Sequence, residues 1–162
     1  MSPRCRRTRP STRPTNLEPE LVEVLVDTSP NWALEHAGGG ELRLGASSRV
    51  LDMGSGEYRF AVALAARAKP AAIHGIELCP NNHRRAQVAI NYFSTRYPGH
   101  PTALSAQRGN LDDLSADDLN SYNVIWVGNL NQYPDRTERP LSHILPTVSS
   151  GTIFLPSGIF LR

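Results

Sequence analysis

The stretch Val50-Leu51-Asp52-Met53-Gly54-Ser55-Gly56 constrains this chain more than any other. Arg49–Met53 is a short apolar run that ends at a glycine, the pattern of a buried strand. Phe60–Ala68, just beyond, is almost wholly apolar and rich in alanine, which predicts a helix packed closely on a sheet. Between them, Gly54 and Gly56 let the backbone turn sharply and approach a ligand with no Cβ in the way. The helix that follows offers free N–H groups and a positive dipole end.

The same alternation continues along the chain. Ala72–Leu78 reads as the next strand. Pro80 suits a first helical turn, and Ala86, Ala89, Ile90, Phe93 and Tyr97 fall on one helical face, stopped by Pro98-Gly99. Ala103–Arg108 is a third strand. Ser115 with Asp118 three residues on marks the start of a short helix. Tyr122–Val127 is a strong strand, Arg136–Leu145 a helix and Thr152–Leu155 a last strand. Before this series, Leu17, Leu21, Val24 and Leu25 recur at helical spacing, so residues 17–27 form an amphipathic helix. Strands alternating with helices predict an α/β fold, a Rossmann-like, doubly wound and mostly parallel sheet. Ligands in such sheets bind at the carboxyl ends of the strands, where strand order reverses.

Those ends carry a pattern. Asp52 closes the first strand and can accept a hydrogen bond from an amine. The second strand ends in Gly75-Ile76-Glu77, with Glu77 21 residues after Gly56. That spacing sets a carboxylate beside the glycine turn, where it can accept both hydroxyl protons of a ribose. The third ends in Gly109-Asn110-Leu111, a polar then an apolar side chain, suited to bonding and covering a purine. The fourth ends in Gly128-Asn129-Leu130-Asn131, over the centre of the site. A dinucleotide fingerprint needs glycine where Arg59 stands, and Glu57 opposes a pyrophosphate at the helix N-terminus. A nucleoside ligand without phosphates fits better.

The runs Asp52-Met53-Gly54-Ser55-Gly56 and Gly75-Ile76-Glu77 resemble the nucleotide-binding half of class I S-adenosylmethionine-dependent methyltransferases, over about residues 48–160. Asp52–Gly56, Arg108-Gly109-Asn110-Leu111 and Val124–Leu130 also resemble segments of the non-SET histone lysine methyltransferases of the disruptor-of-telomeric-silencing type. Bacterial or mitochondrial protein-lysine methyltransferases are matched almost as well through Gly54–Arg59. The resemblance implies S-adenosylmethionine as cofactor, held by Asp52, Gly54, Ser55, Gly56, Glu77, Asn110 and Leu111. It implies direct methyl transfer to a nucleophile, and for a lysine acceptor it gives Asn129 the role of orienting the amine. Tyr58 stands at the motif's third glycine position, where a phenol is expected to crowd the methionine moiety. Asn110 stands in place of an acid and Leu111 in place of an aromatic. The superfamily sheet has seven strands, and this chain is expected to lack the last two.

Composition narrows the remainder. Two cysteines, Cys5 and Cys79, exclude a disulfide-built fold and a CxxC-type site. The five histidines show no ligand spacing, so no metal is expected. No segment approaches the ~20 apolar residues of a membrane helix. Net charge is +2, but residues 1–16 hold five arginines and no acid, leaving the rest at −3. With Pro3, Pro10 and Pro14 the first 16 residues read as a disordered basic tail, and 17–162 as the methyltransferase-like domain. The tail is a plain solvated terminus, a nucleic-acid-binding arm or an organelle-targeting segment. The chain lacks a secretory signal, so the expectation is intracellular, cytoplasmic or nuclear, with organelle targeting open. The partners expected are S-adenosylmethionine, a protein or small-molecule methyl acceptor and, through the tail, nucleic acid. Two other functional readings stand beside protein methylation: a catalytically inactive methyltransferase-like binding or scaffolding module, and a small-molecule methyltransferase.

Overall fold

A computed structural model describes residues 44–127 and, as backbone, 153–156. The expected helices at 17–27 and Arg136–Leu145, the basic tail and Asn129 lie outside the described residues.

The elements run β1 (Arg49–Met53), α1 (Arg59–Ala68), β2 (Ala72–Glu77), α2 (Pro80–Arg96), β3 (Ala103–Arg108), a single 3-10 turn (Leu111–Asp113), α3 (Ala116–Asn120), β4 (Val124–Val127) and β5 (Ile153–Pro156). The five strands form one sheet in the order β3-β2-β1-β4-β5. Every adjacent pair is parallel. The chain steps outward from β1 through β2 to β3, then returns to the other side of β1 with β4. Strand order therefore reverses between β1 and β4, and the crevice sits over the carboxyl ends of those two strands.

Alternation along each strand builds two cores. Val50, Ile73, Val124 and Trp126 face one side, where α1 and α2 supply Ala61, Leu64, Ala65, Ala86, Ala89 and Phe93. The small alanines of α1 let the helix lie close to the sheet. Phe60 stacks on Trp126 with ring centroids 4.1 Å apart and planes 13° apart, a contact worth about 0.5–1.5 kcal/mol beyond its buried area. Leu51, Met53, Ile76, Ile125 and Val127 face the other side, with Leu111 and Leu119 against them.

Local chemistry sets the element ends. Pro80 opens α2, where its missing N–H costs nothing. Ser115 and Asp118 form the expected capping box of α3: the Asp118 N–H donates to Ser115 Oγ at 3.1 Å, and the Ser115 N–H to Asp118 Oδ2 at 2.9 Å. Strand and helix ends differ from the sequence reading by one residue at α1, β2 and β5 and by two at the start of β4. β4 begins at Val124 rather than Tyr122, because the Tyr122 N–H closes the turn after α3 on the Leu119 carbonyl. Asn123 is spent on the neighbouring strand end, its Oδ1 accepting the Arg49 N–H at 2.7 Å.

Candidate functional site

The turn after β1 is built on left-handed backbone. Gly54 has φ +72° and Gly56 φ +57°, a region that costs a side chain about 1–2 kcal/mol and glycine nothing. The N–H groups of Gly54 and Ser55 both donate to the Ile76 carbonyl, at 2.9 and 3.1 Å, so β2 anchors the turn. A Cβ placed on Gly56 would meet no atom of the described residues within 4 Å, its chain neighbours aside, so the space beside this glycine is open among them.

Glu77 closes the turn from β2. One carboxylate oxygen accepts the Gly56 N–H at 2.8 Å. The other accepts the Cys79 N–H at 2.7 Å. The side chain thus ties the glycine turn to the start of α2. Each oxygen keeps a second lone pair, so the carboxylate retains acceptor capacity for a ligand.

Asp52 is 1% exposed and faces the α1 and α2 side, its Cα paired with Gly75 on β2 and Trp126 on β4. Its Oδ2 is buried and has no hydrogen-bond partner among the described residues. Burial, then the Glu77 charge, pushes its carboxyl up to about 7. A buried acceptor without a donor is costly, and a ligand amine or other donor would relieve it. Ser55 is also buried, and its Oγ has no partner among the described residues.

Tyr58 corrects an expectation. It lies in left-handed backbone, at φ +69°, which explains why the related motif has glycine there. Its phenol does not reach toward the crevice to crowd a ligand. The side chain is fully buried in the core with Val50, Leu64 and Ile73. Its hydroxyl donates to the carbonyls of Ile73 and Ser105, each at 2.7 Å, a single proton shared across β2 and β3. Burial, then the Asp52 charge, holds the phenol well above its usual range, so it stays a donor. The ring fits because β2 has glycine beneath it: a Cβ on Gly75 would lie 2.4 Å from Tyr58 Cε2 and 2.7 Å from Ser55 Oγ.

Glu57 was expected to oppose an anion at the helix start. Its charge is offset instead. Arg59 reaches it at 2.7 Å and Arg85 of α2 bonds its other oxygen. Burial raises the Glu57 carboxyl, and the hydrogen bonds from Arg85 and Arg59 outweigh that, leaving it below its ordinary value.

Both residues after β3 have partners within the fold. Asn110 caps the following 3-10 turn, accepting the Asp112 N–H. Leu111, 9% exposed, packs in the core with Met53, Ile76 and Val127. Leu78, directly after Glu77, is 41% exposed and is the apolar side chain that sequence reasoning passed over. Its position after a strand-end acid was the available signal. Cys79 is half-buried at the start of α2. Of the residues assigned to the site, Asp52, Gly54, Ser55, Gly56 and Glu77 are brought together. Asn110 bonds locally, Leu111 packs against β1, β2 and β4, and Asn129 lies outside the described residues. Among the described residues no group of three or more His, Cys, Asp and Glu could hold a metal ion, and no helix is long and apolar enough to cross a membrane.

No family model matches the chain, and no curated protein matches it. Solved structures do. YjhP from Escherichia coli superposes with a TM-score of 0.55 at 16% identity, over 90% of this chain and 51% of that one. Precorrin-6y C5,15-methyltransferase from Geobacter metallireducens gives 0.54 at 12% identity, over 93% and 68%. An arsenic(III) S-adenosylmethionine methyltransferase from Chlamydomonas reinhardtii gives 0.53 at 20% identity, over 81% and 46%. The chain thus spans about half the length of YjhP and of the algal enzyme. What it shares with these proteins is the Rossmann-like methyltransferase fold.

Proposed function

We propose that the glycine turn binds S-adenosylmethionine and that the chain is a methyltransferase acting by direct transfer to a nucleophile. The observation that carries this is Glu77 clamped to the Gly56 N–H beside open space, with the unpartnered Asp52 oxygen on the neighbouring strand. Glu77 would accept ribose hydroxyls on its free lone pairs. Asp52 would accept from the ligand amine. Leu78 offers an apolar surface for a purine. Gly56 leaves room for close approach, and the ion-paired Glu57 does not present an uncompensated charge there. When bound, the cofactor supplies an activated methyl on a sulfonium. The protein's contribution is then alignment and exclusion of water.

For the acceptor we favour a protein lysine, from the resemblance to lysine methyltransferases. The amine must arrive uncharged, which an apolar channel promotes by desolvation, and Asn129 would orient it. In this reading residues 17–162 are the domain and 1–16 a basic tail that adds salt-dependent attraction to chromatin or RNA. The neighbours named for arsenic(III) and precorrin-6y keep a small-molecule acceptor as a competing outcome. The inactive-module reading rests on Asn110 and Leu111, which are committed to the fold.

The experiment is calorimetric titration of the chain with S-adenosylmethionine and its demethylated product, followed by acceptor screening. Micromolar binding with methyl transfer to a lysine peptide supports the whole reading. Binding without transfer to any acceptor supports the inactive module. Transfer unchanged in Asn129→Ala removes that residue's role.

A further inference from the structure

The Asp52 carboxyl is not explained by cofactor contact alone. It stands inside the sheet, on β1 between Gly75 of β2 and Trp126 of β4. Among the described residues one oxygen has no donor, although water is excluded from a side chain in a residue 1% exposed. A bare carboxylate in such a position is one of the most expensive groups a fold can hold. Two solutions exist: a proton on the carboxyl, or a cation against it.

Among the described residues no cation supplies the second. β2 contributes Glu77, a like charge. The turn contributes Tyr58, a protonated phenol whose hydroxyl is spent on Ile73 and Ser105. β4 contributes Trp126 at this register, which carries no charge. From α1 and α2, Arg59 and Arg85 are both bound to Glu57. Among the described residues the site has no counter-ion of its own.

We infer that ligand binding at the glycine turn is coupled to the loss of a proton from Asp52: without ligand the buried carboxyl carries the proton on Oδ2, and the ligand's ammonium group takes its place. The inference rests on the proposed S-adenosylmethionine site and adds to it a proton balance. The proton passes to solvent, and the carboxylate that remains is paired with the ligand nitrogen. Burial and the Glu77 charge place this carboxyl at about 7, so the exchange falls in the neutral range. At pH 7 about half a proton is released per site, rising toward one near pH 6 and falling to about a tenth at pH 8.

The test is calorimetric titration with the demethylated product, S-adenosylhomocysteine, in two buffers of different ionisation enthalpy between pH 6 and 8. The Asp52→Asn protein, which has no proton to lose there, is titrated alongside and subtracts any proton the ligand amine takes up. The expected result is that the wild type releases about half a proton more than the variant at pH 7, with the stated pH trend. Where Asp52→Asn fails to fold or to bind, the infrared C=O stretch of a protonated carboxyl in the wild type replaces it, and should disappear on adding ligand. Binding with equal proton balance in both proteins, or a carboxyl band that does not change, overturns the inference and leaves the cofactor reading standing. No binding by the wild type overturns both.

Discussion

The Glu77 carboxylate reaches back 21 residues along the chain to accept the Gly56 N–H at 2.8 Å, while its second oxygen holds the Cys79 N–H at 2.7 Å. The residue expected to contact a ribose is therefore also the clasp of the turn that would receive it. Glu77→Ala should unfold about 1–3 kcal/mol more easily, because two backbone donors lose a charged acceptor. Its affinity for S-adenosylmethionine should fall by at least about tenfold. Glu77→Gln keeps one acceptor oxygen and should lie between the two. Chemical denaturation paired with ligand titration reads both effects.

Tyr58 is strained in backbone but fixed in side chain, and the two effects predict opposite results for Tyr58→Gly. Relief of the left-handed conformation is worth about 1–2 kcal/mol. Removing a fully buried ring costs about 3–5 kcal/mol in lost packing. The cavity wins, so the variant should be less stable although it restores the glycine of the related motif. Tyr58→Phe should cost about 1 kcal/mol, from one shared hydroxyl. Ligand affinity in Tyr58→Phe should stay within about twofold of wild type, because the phenol points into the core. Urea midpoints and ligand titration of the three proteins decide this.

Gly75 has to remain without a side chain. Gly75→Ala sets a Cβ at 2.4 Å from the Tyr58 ring and 2.7 Å from Ser55 Oγ. The cost of such overpacking is about 1–3 kcal/mol. The displaced Ser55 belongs to the turn, so ligand affinity should fall with stability. A thermal melt together with a titration shows whether the two fall together.

Much of this was legible before the structure. The glycine turn, the four strands from Arg49 to Val127 and the helix starts at Pro80 and Ser115 follow from local pattern, which depends on neighbours in sequence. What was not legible depends on neighbours in space. Tyr58 occupies a motif position whose backbone points to ligand, but its side chain turns under the sheet because Gly75, 17 residues on, leaves it room. The packing of Leu111 against Met53 and Val127 arises only once β1 and β4 pair. The Asp52 burial needs both flanking strands, and no one-dimensional pattern reports it.

The Asp52 contribution to the stability of the ligand-free protein should be lost as pH rises from about 4 to about 7. A carboxyl raised from 3.8 to about 7 by folding binds a proton in the folded state that the unfolded chain has already lost. That contribution is on the order of 4 kcal/mol across the window, and nothing further is lost above it. His74 and His100 run the other way. Burial holds both below their ordinary 6.5, so they favour folding as pH rises through that value. The wild-type slope is thus a difference between opposed effects, and comparison with Asp52→Asn isolates the carboxyl. The variant should gain on wild type steadily between pH 5 and 7, with a constant advantage at pH 8, in urea denaturation without ligand.

The central claim is that S-adenosylmethionine sits on the turn between β1 and α1. Amide resonances of the isotope-labelled chain, followed during titration with that ligand and separately with a nicotinamide dinucleotide, test it most directly. The account predicts saturable shifts at Gly54, Ser55, Gly56, Glu77, Leu78 and Cys79 with S-adenosylmethionine, and none of comparable size with the dinucleotide. Unmoved resonances at these six residues, or equal shifts with both ligands, would contradict it.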